Sequence, residues 1–206
     1  MDGGNTAHST LCECCGHPLG TLYLNRPGIG ESPVQGRFNE CSECGYLARV
    51  GSTKWWVVIT SFSTIAVYAI GSGVWVGSGE GWYRSLETPR WQPPDAMFGI
   101  AWTYNFVMLA VVAVHVARHG TGPQMGLWTG SLVVSVVFAL GWAWLFYSEH
   151  ALWTASMSLI IAAACTVPLV IAAWGSATWA GVVLLPYLAW LFIASSLAVG
   201  YATLNS

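Results

Sequence analysis

Charge is what this chain has least of. Only 8% of its 206 residues are Asp, Glu, Lys or Arg, against about a quarter in soluble domains. Hydrophobic residues make up 55% and mean hydropathy is +0.56, so most of the chain is expected to have lipid rather than water as its solvent. The scarcity is uneven: of sixteen charged residues, nine fall in residues 1–54 and seven in all that follows, where Arg84, Arg90 and Arg118 are the only basic ones. A net charge of -2 without a basic cluster excludes a nucleic-acid face or a polybasic lipid-binding segment. The start, MDGGNTAHSTLCECC, has neither a basic nor an apolar stretch, so no secretory signal is expected and the first membrane helix is expected to do the targeting.

Cysteine is nearly absent from the apolar part as well. Cys165 stands alone there, and a packing role is expected for it. The other five crowd into the polar head, where Cys12/Cys15 and Cys41/Cys44 form two C-x-x-C-G knuckles with twenty-five residues between them. Each knuckle turns two thiolates toward one ion, the Gly relieves the bend, and four thiolates complete a tetrahedron. About forty residues without a hydrophobic core need such a staple to fold. Residues 11–50 are therefore expected to be a zinc-ribbon-like metal domain of structural type with four cysteine ligands, with a rubredoxin-like iron site or a redox dithiol as the alternatives and Cys14 as a spare thiol. Residues 1–10 are small and polar and are expected to be a disordered tail.

Beyond Lys54 five runs contain no charged residue: 55–76, 96–117, 127–147, 151–174 and 180–204. Each is long enough to cross a bilayer as a helix. The expected fold is an all-α membrane protein, with residues 51–206 forming a five-transmembrane-helix bundle and the metal domain outside it. Short connections at 118–126, 148–150 and 175–179 make successive helices antiparallel neighbours. Arg49, Lys54 and Arg118 on the head's side, against Arg84 and Arg90 on the other, orient the metal domain toward the cytoplasm.

Between the first two runs lies WYRSLETPRWQPP, residues 82–94. Pro89, Pro93 and Pro94 stiffen this connection, and Pro94 with Asp95 suits the first turn of a helix. Trp82, Tyr83 and Trp91 give it the aromatic content either of a lid at the membrane boundary or of an ordinary interfacial belt. All thirteen Trp follow Lys54, and Trp102, Trp142, Trp144 and Trp190 lie deeper than a belt places them. Phe98, Trp102, Asn105 and Leu109 share one helical face, as do Tyr187, Trp190, Ala194, Leu197 and Tyr201. An Asn within a spanning run needs a partner, so the first of these faces is expected to look into the bundle or a wet cavity. With Ala194 one turn from Trp190, the aromatic faces either leave room for a planar apolar small molecule or pack together without a void. His115 is expected to be an interface residue rather than a haem or metal ligand.

WYRSLETPRWQPP with the following FGIAWTY, ALGWAWLFY at 139–147, LLPYLAWLFIASSL at 184–197 and the closing Leu204-Asn205 resemble the translocator protein family, also called tryptophan-rich sensory protein or peripheral benzodiazepine receptor. The resemblance covers residues 55–206. It implies a five-helix bundle, often a homodimer, with a ligand cavity capped by the loop between helices one and two. It further implies binding of porphyrins and other tetrapyrroles, in some members of synthetic isoquinoline or benzodiazepine ligands and sterols, and in some bacterial members light- or oxygen-dependent porphyrin breakdown. By this resemblance Trp102 and Trp190 match cavity tryptophans, Tyr187 the Tyr of P-Y-L-x-W, Ala194 the small residue after it, and Trp91, Pro93 and Pro94 the lid.

The sequence departs from the family at Thr88, where a Lys precedes the Pro, and at Gly141 and Ala198, where Asn is usual. Asn105 stands where Leu is common. The expectation is an integral membrane receptor or sensor that holds a tetrapyrrole in an aromatic cavity formed by Phe98, Trp102, Asn105, Trp142, Trp144, Tyr187, Trp190 and Ala194 under the lid residues. Alternatives are an accessory subunit docking on a membrane complex partner and a photochemical porphyrin-degrading enzyme.

Overall fold

A computed structural model describes residues 20–26, 34–40, 47–49 and 53–205. Cys12, Cys15, Cys41 and Cys44 lie outside the described residues, as does the 1–10 tail. The chain divides into two units, Met1–Ser52 and Thr53–Ser206. In the first, strands β1 (Gly20–Arg26), β2 (Val34–Glu40) and β3 (Leu47–Arg49) form an antiparallel sheet in that order. Gly20 pairs with Glu40 and Arg26 with Val34, a hairpin whose open end lies at Gly20 and Glu40.

The second unit is helical: α1 (Trp55–Tyr83), α2 (Asp95–His119), α3 (Gly122–Tyr147), α4 (Leu152–Ser176), α5 (Thr178–Val182) and α6 (Leu185–Asn205). Five helical segments are long and apolar enough to cross a membrane, the fifth made of α5 and α6 together. Within residues 53–205 no charged side chain is buried.

Three boundaries differ from the sequence expectation. The first helix does not stop near Val76 but continues through a Gly-rich turn to Tyr83, because glycines of α1 face α3: a Cβ on Gly71 would stand 2.9 Å from Leu140, and one on Gly79 2.7 Å from the Tyr147 ring. Glu80 and Arg84 then pair across one helical turn at its end. At about 1.5 Å per residue, α1 is longer than a hydrocarbon core of about 30 Å, so its last turns lie at the boundary. The third helix begins at Gly122 rather than Leu127. The Gln124 side chain reaches back to accept from the Thr121 N–H at 2.8 Å, and Pro123 suits the first turn. The fifth span breaks between Val182 and Leu185, where Pro186 lacks the N–H that a continuous helix would use.

The tightest seam joins α3 to α4. The buried face of α4 is made of small residues, Ala155, Ser156, Ala162, Ala163, Thr166 and Ala173 among them, so the backbones approach closely. Ser135 Oγ donates to the Ala162 carbonyl at 2.9 Å and Ser158 Oγ to that of Phe138 at 2.7 Å. Between α1 and α3, Trp128 Nε1 donates to Ser61 Oγ at 3.0 Å, and both residues are fully buried.

Candidate functional site

The site is built where α1, α2 and α6 turn aromatic faces inward. Tyr68 of α1 meets Trp102 and Phe106 of α2 edge-on at 5.2 and 5.5 Å between ring centres, and Trp102 lies over Phe106 at 5.5 Å. Across the bundle, Phe98 meets Trp190 of α6 edge-on at 5.3 Å. Tyr104 Oη donates to the Val183 carbonyl at 3.0 Å, tying α2 to the break before α6. These two contacts fix α2 and α6 as antiparallel neighbours, so Asn105 lies near the level of that break and Tyr187 between it and Trp190.

Four of the six buried polar side-chain atoms without a partner among the described residues lie on α1, α2 and α6 here, the other two being His115 Nε2 and Trp142 Nε1. Buried Ser and Thr elsewhere in the bundle mostly satisfy themselves: Thr129, Ser156, Thr166 and Ser195 donate to the carbonyl one turn back. By contrast Tyr68 Oη, Asn105 Nδ2, Tyr187 Oη and Trp190 Nε1 are buried without a hydrogen-bond partner, on residues no more than 7% exposed. Each such group normally finds a partner, since leaving one unpaired costs about 1–3 kcal/mol. Tyr187 Oη is turned toward the Ser135 and Thr166 hydroxyls, which bond to each other at 3.0 Å, and it reaches neither with hydrogen-bond geometry.

The connection 84–94 closes one end. Asn205 near the end of α6 holds Glu87 from both sides: the Glu87 N–H donates to Asn205 Oδ1 at 2.8 Å and Asn205 Nδ2 donates to the Glu87 carbonyl at 3.0 Å. Tyr201 Oη donates to Gln92 Oε1 and lies 2.9 Å from Tyr83 Oη. Gly200 is the close-approach point, since a Cβ there would fall 2.8 Å from both Pro89 and the Trp91 ring. Beneath the connection Trp82, Tyr83, Phe146 and Tyr201 form a second aromatic cluster. Replacing Asn205 with Ala removes both bonds to Glu87. Amide exchange in residues 85–93 is expected to speed up about tenfold with the helix interiors unchanged, read by deuterium uptake and mass spectrometry. Unchanged uptake there would mean that other contacts hold the connection.

The sequence-predicted residues divide accordingly. Phe98 meets Trp190, Trp102 packs instead with Tyr68 and Phe106, Asn105 and Tyr187 are buried on α2 and α6, and Ala194 is half-buried one turn from Trp190. Trp142 packs against both the main core and the second cluster, where it meets Phe146 and Tyr147, with its Nε1 buried and unpartnered. Trp144 is 45% exposed on the outer side of α3 and joins neither group: it is two residues from Trp142, which puts it about 200° away around the helix. In the connection, Pro93 is half-buried, Pro94 precedes α2 as its cap, and Trp91 is exposed except for the edge that meets Gly200. An open groove of about 310 Å³ lies away from the indoles, on the outer faces of α3 and α4, lined by Gly126, Gly130, Val134, Cys165 and Pro168 among others. Tyr68 and Phe106 were missed in the sequence. Tyr68 stands seven residues from Ser61 on the buried face of α1, and that spacing is the signal that marks it.

The model of the TspO/MBR family matches residues 58–204. The chain belongs to the TspO/MBR family. It is 31% identical over 156 residues to the tryptophan-rich protein TspO of Archaeoglobus fulgidus, covering 73% of this chain and 97% of that one. It is 28% identical over 125 residues to the tryptophan-rich sensory protein of Cereibacter sphaeroides, covering 60% and 77%. With the translocator protein of Homo sapiens it shares 28% identity over 136 residues, covering 62% and 77%. The family region begins inside α1, so the Met1–Ser52 unit lies outside it. Family membership and five apolar spans make this a multi-pass integral membrane protein.

Proposed function

We propose that this TspO/MBR protein is a membrane receptor or sensor that binds a porphyrin or related tetrapyrrole between α1, α2 and α6 beneath the 84–94 connection. One observation supports the reading: α1, α2 and α6 turn aromatic rings inward, Tyr68 against Trp102 and Phe98 against Trp190, and Tyr68, Tyr187 and Trp190 hold buried polar atoms without a partner. A flat apolar guest gains from ring faces on both sides, and its polar edge meets donors that nothing else occupies. Tyr68 meets Trp102 and Phe98 meets Trp190 edge-on, so a guest enters by turning these rings aside and replaces ring–ring contacts with ring–guest contacts of similar strength. Names among the relatives, "tryptophan-rich sensory protein" and "translocator protein", agree with a binding role. Titrating purified protein in nanodiscs with protoporphyrin is expected to shift the Soret band with micromolar affinity, about 8 kcal/mol. No saturable shift would overturn the reading.

For the Met1–Ser52 unit we propose a zinc ion held by Cys12, Cys15, Cys41 and Cys44. The hairpin supports this, because its open end joins Gly20 to Glu40, so the first Cys pair precedes and the second follows the same end in sequence. Protein purified without chelator is expected to carry about one zinc per chain. Less than about half an equivalent by elemental analysis would count against it.

A further inference from the structure

The end of the bundle opposite the 84–94 connection carries two imidazoles on one helix. There the Lys54 N–H, at the start of α1, donates to the Ala117 carbonyl at 2.9 Å, and His115 and His119 stand one helical turn apart near the end of α2. Taken alone, His115 is an interface residue. The structure sets His119 beside it, with ring centres 4.7 Å apart and planes 30° from parallel. We infer that this pair is a metal site separate from the cysteine set, an open one that holds an exchangeable late divalent transition-metal ion of the nickel, copper or zinc class between two neutral imidazoles.

Two His at i and i+4 share a face, the spacing with which a helix offers two ligands to one ion. An ion about 2.1 Å from each coordinating nitrogen, with the two nitrogens about 90–110° apart around it, holds the ring centres about 4.5–5.3 Å from each other. The observed 4.7 Å falls inside that range. His115 Nε2 is buried without a hydrogen-bond partner, while the same ring is bonded to the Ser176 backbone. That bond therefore falls to Nδ1–H and leaves the Nε2 lone pair for a metal, the arrangement in which an outer carbonyl fixes the tautomer of a ligating imidazole. Trp179 meets the His115 ring edge-on at 4.8 Å and limits its rotation. His119 is exposed, so an ion reaches the pair from outside the bundle by a turn of that side chain. Among the described residues no group of three or more His, Cys, Asp or Glu is placed to hold an ion. The remaining positions go to water, which makes the site exchangeable rather than structural. Nitrogen ligands favour late first-row ions over calcium or magnesium, which take oxygen.

Nickel(II) is the probe, since thiols reduce copper and the cysteine set competes for zinc. The full chain in nanodiscs, made without a polyhistidine tag, is dialysed against nickel and its metal content measured by elemental analysis. Wild type is expected to show a saturable nickel equivalent that His115→Gln and His119→Gln each lose. Removing a direct ligand should weaken binding by more than about tenfold, since loss of an outer-shell partner alone costs about that much. Nickel held elsewhere, by the cysteines included, is common to wild type and variants and cancels in the difference. His119→Gln changes an exposed side chain and decides the matter if His115→Gln fails to fold. His150 stacks on Trp82 at the other end of the bundle, and its φ of 55° suits Asn, so His150→Asn should leave nickel uptake unchanged. A wild-type isotherm no different from that of His119→Gln, or one that His150→Asn abolishes equally, would overturn the assignment. Protoporphyrin binding plays no part in this readout, so the receptor reading stands or falls separately.

Discussion

Replacing Trp190 with Ala is expected to weaken protoporphyrin binding about thirtyfold, while Trp144→Ala changes it less than about twofold. The contrast follows from where the two indoles point. Trp190 is 7% exposed, meets Phe98 edge-on at 5.3 Å and holds an unpaired buried N–H. Its removal takes away both a stacking surface and a donor. Loss of one aromatic platform for a flat ring costs about 1–3 kcal/mol, and about 2 kcal/mol corresponds to roughly thirtyfold. Trp102→Ala should cost less, because Phe106 lies under the Trp102 ring and remains as a partial platform. Trp144, 45% exposed on the outer side of α3, lies outside the proposed site. Absorbance titration of the three variants, each first shown to be monodisperse, distinguishes these cases. Trp190→Ala binding as tightly as wild type would move the site away from the α2–α6 face.

Trp128→Ala is expected to be the most destabilising single indole truncation in the bundle, at about 3 kcal/mol. Trp128 is the largest fully buried side chain within residues 53–205, and its N–H reaches Ser61 across the α1–α3 seam at 3.0 Å. Truncation leaves a cavity and strands the serine hydroxyl. In water-soluble cores Trp→Ala costs about 3–5 kcal/mol. Part of that is transfer from water, which a protein surrounded by lipid does not recover, so the lower end applies. Trp128→Phe keeps most of the volume and should recover more than half of the loss. Thermal unfolding in one detergent, followed by loss of monodisperse protein, provides the measurement. A Trp128→Ala midpoint equal to that of Trp144→Ala would mean that the α1–α3 seam contributes little to holding the bundle together.

These two tryptophans also show how far the sequence reached. Runs 55–76 and 180–204 announced membrane helices because charge is absent from them, and lipid tolerates nothing else at that length. The helical spacing of Phe98, Trp102, Asn105 and Leu109 and of Tyr187, Trp190 and Tyr201 placed each set on one face, and Asn105, Leu109, Tyr187, Trp190 and Tyr201 are indeed buried. Spacing within a helix says nothing about which other helix that face meets. Trp142 and Trp144 therefore looked alike in sequence, yet one joins the cluster beneath the connection and the other faces outward. The apolar run 55–76 stopped short of the Gly-rich end of α1, which stays helical to Tyr83. Gly79 is helical because the Tyr147 ring occupies the space a side chain would need, and that contact joins residues far apart in the chain.

The sequence by itself determined the solvent, the number of spans, the family motifs and the inward faces of α2 and α6. Composition and period are local properties, and lipid reads them directly. Only the tertiary structure decided that Tyr68 completes the aromatic wall, that Trp128 is tied to Ser61, that Asn205 clasps Glu87 across the closing loop, and that Asn105 and Trp190 keep donors without partners. Each of these depends on how antiparallel helices slide and rotate against one another. That choice is made by small residues and close contacts between segments distant in the chain, and it leaves no periodic trace in any one of them.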